Sequence, residues 1–162
     1  MAHNILYFRA RTRTVSGESS DPTVIRSIAV SADDLVSALE TNRTSSKNAV
    51  LRVTPPFSGR MRARLHIDLG TPYTQQPQPI HVQPRTLVDE TLPDYPEPAE
   101  TEDELRTDPS TTYTVERHRR RHEAAVEAWR QQVPDAVSDR ATIETPAGDH
   151  EISVAVLGTA SD

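Results

Sequence analysis

The chain has 162 residues and no cysteine, which excludes disulfides, iron–sulfur clusters, cysteine zinc sites and thiolate catalysis. Hydrophobic residues make up 35% of it, which is low for a globular domain and predicts a small core with part of the chain unpacked. Of its 18 basic residues all but Lys47 are arginine, and with 24 acidic residues the net charge is −6.

No stretch approaches the roughly 20 apolar residues that cross a bilayer. The first residues also lack the charged region and the apolar region of a signal peptide. We therefore expect a cytoplasmic protein without a membrane partner.

The first half of the chain predicts four strands and a helix. Residues 5–15 and 23–30 contain the β-branched and aromatic residues of strands. Ser31 is a good N-cap for a helix that runs to about residue 42, with two aspartates in its first turn. Residues 49–54 and 60–68 flank a Pro-Pro-Phe-Ser-Gly turn, which predicts a hairpin.

In the second half of the chain, the signals for helices and strands are weak before the last fifty residues. A short extended piece is predicted at residues 80–83, within a segment rich in proline and glutamine. Residues 89–109 hold nine acidic residues against one arginine and show no apolar periodicity, which indicates an exposed or disordered segment. Residues 112–133 predict a helix that Pro134 ends, and residues 141–145 and 151–157 predict a closing hairpin.

This order predicts an α+β fold, a mainly antiparallel sheet of about five to seven strands with two helices, plus a long acidic Pro-rich insertion. Residues 1–88 would be a basic β-β-α-β-β part, with 11 basic and 6 acidic residues. Residues 89–111 would be an acidic flexible insertion. Residues 112–162, a helix plus a β-hairpin, would complete the same domain.

The stretch at residues 49–66, A-V-L-R-V-T-P-P-F-S-G-R-M-R-A-R-L-H, resembles a small haloarchaeal protein family of unknown function. The resemblance covers much of the first half of the chain and part of the second. Scarce lysine and abundant acidic residues are similar to the composition of proteins from extremely halophilic archaea. The resemblance implies a halophilic source and a cytoplasmic compartment, and it implies no activity.

Arginines alternate with apolar residues in the first predicted strand and again in residues 60–67, where His66 continues the pattern. Because side chains alternate along a strand, the arginines of each strand share one face. If these strands belong to one sheet, one face carries up to seven arginines: Arg9, Arg11, Arg13, Arg52, Arg60, Arg62 and Arg64.

An ordinary solvated sheet face also shows polar alternation. Like charges opposite one another across strands are destabilising, however, so a wholly basic face requires a compensating anion. One candidate is a nucleic-acid backbone, which arginine contacts bidentately, with Phe57 and Tyr7 stacking on bases. The other is the chain's own acidic segment at residues 89–109, folded over the arginines.

His118 and His122 have the spacing of a helical metal pair. Arg119 stands where the H-E-x-x-H zinc motif has its glutamate, and further arginines flank the pair and oppose a cation. We therefore favour two partly buried histidines that pack beside Trp129, and no metal.

The chain contains no G-x-S-x-G, P-loop or dinucleotide motif. We expect a non-enzymatic binding protein without a cofactor, whose arginine face and Phe57 bind nucleic acid or another anionic partner such as an acidic protein. The alternatives are a protein–protein adaptor or subunit of a larger assembly, a homo-oligomer included, and an enzyme of unrecognised type.

Overall fold

A computed structural model describes residues 18–158, and residues 1–17 and 159–162 lie outside the described residues. The described residues form seven strands: β1 (Ser27–Ser31), β2 (Asn48–Val53), β3 (Arg60–Arg62), β4 (Arg64–Asp68), β5 (Ile80–Val82), β6 (Arg140–Thr145) and β7 (Gly148–Leu157). They also form three helices: α1 (Ala32–Thr44), α2 (Pro98–Thr107) and α3 (Val115–Gln132). The predicted α+β class is confirmed. Within residues 18–158, no helix combines the length and the apolar composition of a membrane span.

The strands form two sheets. In the first, with the order β3-β1-β7-β6, β1 is parallel to both β3 and β7, and β6 is antiparallel to β7. The second, with the order β4-β2-β5, is antiparallel throughout. The predicted number of strands and the mainly antiparallel pairing are therefore confirmed, but the expectation of one sheet is wrong. The predicted strand at residues 5–15 lies outside the described residues.

The second sheet arises because the predicted strand at residues 60–68 divides at Ala63. Upstream of Ala63, β3 pairs with β1 of the first sheet, and downstream β4 pairs with β2. Ala63 itself is fully buried, and its N–H donates to the carbonyl of Ala29 over 2.9 Å. The apolar alternation continues through this change of partner, which is why the sequence pattern did not predict it.

Helix α1 follows β1 without a loop and lies over the inner face of the second sheet. It begins where the Ser31 Oγ accepts a hydrogen bond from the Asp34 N–H over 3.0 Å, an N-cap that the sequence predicted. Apolar side chains from both sheets and from α1 and α3 form a single core; its fully buried members include Ile28, Val30, Leu35, Leu51, Val53, Phe57, Val133 and Ile152.

Helix α2 forms inside the acidic segment, so the prediction of two helices is corrected to three. Pro98 begins the helix, and the Glu97 N–H donates to the Glu100 side chain over 3.3 Å. Only Thr101 and Leu105 of α2 are buried. With so few buried residues, the helix shows almost no periodic pattern of apolar residues. The sequence therefore did not predict it.

Residues just before α2 are fixed on α1 and α3. The Tyr95 and Trp129 rings meet edge to face with their centroids 4.9 Å apart, and the Trp129 Nε1–H donates to the Pro93 carbonyl over 2.9 Å. Glu40 of α1 accepts from Arg130 of α3 over 2.7 Å and from the Tyr95 hydroxyl over 3.2 Å. This part of the acidic segment therefore packs on the helical side of the molecule.

Replacing Phe57 with alanine tests its position in the core. Since Phe57 is fully buried, Phe57→Ala should lower the free energy of unfolding by about 3–5 kcal/mol in a denaturant titration. Leu69→Ala is the matched control, because Leu69 is 83% exposed and its loss should change stability by less than about 0.5 kcal/mol. Equal stability of the two variants would contradict the burial of Phe57.

Candidate anion-binding site

The structure describes five of the eight residues predicted for the site. Arg9, Arg11 and Arg13 lie outside the described residues. Phe57 is fully buried, because the turn that carries it folds inward and forms a two-way backbone bridge with Ser19. Its ring therefore cannot stack on a nucleobase in this structure, contrary to the expectation from the sequence.

The other four predicted arginines lie on two sheets instead of one. Arg60 and Arg62 belong to β3 of the first sheet, whereas Arg52 and Arg64 stand directly opposite each other on β2 and β4 of the second. All four alternate with side chains that pack into the core, among them Ala63. The arginines therefore occupy the outer surfaces of both sheets, next to the point where the chain passes between them.

The second sheet brings further polar side chains beside Arg52 and Arg64. His81 of β5 also stands opposite Arg52, and His66 and Asp68 follow Arg64 on the same side of β4. Tyr73, from the loop between β4 and β5, reaches His81. We define the Arg52–Arg64 face as these six residues: Arg52, Arg64, His66, Asp68, Tyr73 and His81.

Hydrogen bonds fix the middle of this face. The Tyr73 hydroxyl is hydrogen-bonded to His81 Nε2 over 2.9 Å, and Arg52 Nη1 donates weakly to the same hydroxyl over 3.5 Å. The rings of His66 and His81 are tilted against each other with centroids 5.4 Å apart. Arg52 is thereby held in place, while Arg64 is exposed.

Asp68 is the carboxylate of this face, and its oxygens already have partners. Oδ1 accepts from the Gly70 N–H over 3.0 Å, and Oδ2 lies 3.4 Å from Asn48 Nδ2 and 3.6 Å from His81 Nδ1. The Gly70 N–H, and after it His81, lower the pKa of Asp68 below its usual 3.8. Asp68 is thus ionised at neutral pH, at the end of β4 away from Arg64.

The strand arginines differ from most of the helical arginines in their partners. Ion pairs to carboxylates hold Arg43, Arg106, Arg119, Arg120 and Arg130 on the helices, and Arg140 on β6. Among residues 18–158, no carboxylate lies within ion-pair distance of the four strand arginines, Arg52, Arg60, Arg62 and Arg64. Of the residues outside that range, 1–17 contain no aspartate or glutamate, and 159–162 contain Asp162.

Arg62 also has a buried polar atom, its Nε, without a hydrogen-bond partner among the described residues. A buried guanidinium nitrogen without an acceptor is costly for folding. The strand arginines are therefore not placed to stabilise the fold through internal ion pairs.

The acidic segment does not cover these arginines. Arg60 and Arg64 are exposed, and the acidic residues of the segment that form ion pairs do so elsewhere, Glu97 with Arg43 and Glu102 with Arg106. Helix α2 packs on α3. The expectation that residues 89–109 fold over the basic face is therefore not met in the part of the chain that the structure describes.

His118 and His122 contact α2 rather than Trp129. The buried hydroxyl of Thr101 lies 3.1 Å from His118 Nε2 and 3.1 Å from His122 Nδ1. His118 Nε2 is also 3.0 Å from the Pro98 carbonyl. The histidine pair thus positions α2 on α3. Within residues 18–158, no group of three or more potential ligands could hold a metal ion.

Sequence reasoning missed Asp68, Tyr73 and His81 as parts of the candidate site. His81 lies in the short extended piece that was predicted, but pairing with β2 is needed to bring it beside Arg52. Tyr73 lies in a loop without a recognisable motif. The alternation that places Arg64 and His66 on one face of the strand also extends to Asp68, so it could have predicted that residue as part of the site.

Comparison with known proteins gives a family match. A family model described as "Domain of unknown function (DUF8009)" matches residues 15–158. Neither the search of curated proteins nor the search of solved structures found a match.

The titration of His66 tests the geometry of the Arg52–Arg64 face. Partial burial, and after it the charge of Arg52, lower the pKa of His66 below its usual 6.5. Replacing Arg52 with serine should therefore raise this pKa, measured by NMR of the imidazole protons. Arg121→Ser, which removes the same charge from an exposed position on α3, should leave it unchanged. An unaltered His66 pKa in Arg52→Ser would contradict the proximity of the two groups.

The lowered pKa of His66 also sets the sign of a pH effect on stability. Since the folded protein binds this proton less tightly than the unfolded chain, unfolding takes up a proton between the lowered pKa and 6.5. The contribution of His66 to the free energy of unfolding should therefore decrease as the pH falls through that window. Denaturant titrations of the protein and of His66→Gln should diverge in that direction.

Proposed function

The chain belongs to the DUF8009 family, whose function is unknown, and we propose that it binds nucleic acid through the arginines on its outer sheet surfaces. The observation that carries the proposal is the cross-strand pair of Arg52 and Arg64, which has no carboxylate partner among residues 18–158. Like charges directly opposite across two strands destabilise a sheet unless an anion lies between them. A phosphate from a partner molecule supplies that anion.

Arginine is suited to this contact because its planar guanidinium binds phosphate oxygens through two parallel hydrogen bonds. Arg60 and Arg62 lie two residues apart on β3, a spacing of about 6.6 Å along a strand, and Arg64 follows on β4 beyond the change of sheet at Ala63. Such a row can follow the backbone of an extended single strand. Tyr73 adds a partly exposed aromatic ring beside Arg52, of the kind on which bases stack.

The distribution of acidic charge supports the same surface. The segment at residues 89–109 holds nine acidic residues, and residues 93–97 and α2 pack on the helices. Helix α1 packs on β2 and β4 of the second sheet, and Arg52 and Arg64 of those strands lie on its outer face. A polyanion repelled by the acidic side is left with the outer strand surfaces. We also propose that this acidic Pro-rich segment is an insertion in the domain.

The use of arginine in place of lysine fits a cytoplasmic protein of a halophilic archaeon, which we also propose as its source. At high salt, binding driven by the release of counterions from phosphates is weak. Short-range bidentate hydrogen bonds from arginine are then the larger contribution to affinity. A few well-placed arginines are therefore favoured over a diffuse basic surface.

Substituting the strand arginines tests the proposal. The variant with Arg52, Arg60, Arg62 and Arg64 all changed to serine should bind a labelled single-stranded oligonucleotide much more weakly in a fluorescence anisotropy titration. Each phosphate contact that is lost should reduce the slope of log K against log salt by about 0.7. The double variant Arg117→Ser/Arg121→Ser, at exposed positions on α3, is the control, and it is matched in net charge to the double variant Arg52→Ser/Arg64→Ser.

Circular dichroism shows whether each variant is folded before it is compared. Folded wild-type protein that binds neither single- nor double-stranded nucleic acid at low salt would contradict the proposal. Equal losses in the strand and the helix variants would indicate a nonspecific charge effect and would contradict the assigned surface.

A further inference from the structure

We infer that the Arg52–Arg64 face binds the terminal phosphate monoester of a nucleic-acid strand, with Arg62 and Arg60 along the phosphodiesters that follow it. This inference rests on the proposed function and adds which part of the strand occupies the face.

The balance of charge on the face favours a dianion. Arg52 and Arg64 carry two positive charges side by side, and the oxygens of Asp68 are already engaged with Gly70 and Asn48. An internal phosphodiester carries one negative charge. A terminal phosphate monoester carries about 1.5 to 2 negative charges at neutral pH, which matches the two guanidinium groups.

The hydrogen-bond donors of the face are numerous enough for a phosphate with three free oxygens. Arg52 uses one guanidinium nitrogen on the Tyr73 hydroxyl, and its remaining donors have no carboxylate acceptor within the described part of the chain. Arg64 stands opposite it in register, and both histidine rings lie beside the pair. A monoester offers more acceptor oxygens to these donors than a diester, two of whose oxygens are esterified.

The order of charges along β3 and β4 indicates that the strand ends here. Along the chain, Arg60 and Arg62 on β3 are followed by Arg64 and His66 on β4, and Asp68 ends β4 with an ionised carboxylate. A further phosphate beyond Arg64 would meet Asp68 and be repelled. A bound strand can therefore continue only toward Arg62 and Arg60, and its terminal group lies at Arg64.

Matched oligonucleotides test this inference. One single-stranded sequence is prepared with a 5′-phosphate, with a 3′-phosphate and with hydroxyls at both ends, and binding is measured by anisotropy with the label at the end opposite the phosphate. One of the phosphorylated forms should bind about tenfold more tightly than the hydroxyl form, as expected for one additional charge-assisted contact. Arg64→Ser should abolish the preference, whereas Arg60→Ser should weaken all forms alike.

These measurements distinguish failure of the terminal-phosphate inference from failure of nucleic-acid binding itself. Equal affinity for phosphorylated and unphosphorylated strands would overturn the inference and leave nucleic-acid binding intact. If no oligonucleotide binds, inorganic phosphate is titrated while the imidazole resonances of His66 and His81 are followed by NMR. Shifts that Arg64→Ser removes would then support the phosphate site without the proposed function, and the absence of shifts would overturn both. Because Arg64 is exposed, its serine variant should fold, and Arg121→Ser controls for charge.

Discussion

The passage of the chain from the first sheet to the second at Ala63 is the constraint on which the rest of the structure depends. Ala63 is buried and bonded to Ala29 of β1, while two residues further on the Leu65 N–H donates to the Asp34 side chain at the start of α1 over 3.1 Å. One extended segment thus joins both sheets and the first helix. Its inner side chains contribute to the shared core, and its outer ones are arginines.

The electrostatic character of the molecule follows from that segment. Residues that alternate into the core must be apolar, so the charged residues of β3 and β4 are directed to the outer surfaces. The acidic residues are concentrated in the segment at residues 89–109, part of which packs on the helices. The fold leaves Arg52 and Arg64 facing each other. Asp68, the carboxylate of their face, is instead bonded to Gly70 and Asn48.

Local sequence signals predicted the helices and hairpins that depend on neighbouring residues. They did not predict the features that depend on contacts between distant parts of the chain. The N-cap at Ser31, the long helix before Pro134 and the closing hairpin all occur close to their predicted positions. Helix α2 was missed because only Thr101 and Leu105 are buried, and the division of the sheet was missed because alternation is independent of the strand partner. The hairpin pattern predicted that Arg52 lies on a strand next to residues 60–68, but it did not predict the register that sets Arg52 opposite Arg64 or the position of His81 beside them.

Arg52 and Arg64 face each other without a carboxylate partner among residues 18–158, and we propose that their charges repel in the unliganded protein. A double-mutant cycle with Arg52→Ser, Arg64→Ser and the double variant measures this repulsion directly through free energies of unfolding at the lowest salt at which the protein is folded. A repulsive coupling of a few tenths of a kcal/mol that disappears on addition of inorganic phosphate is the predicted result. A coupling of zero, or one that stabilises the fold before any anion is added, would contradict the account.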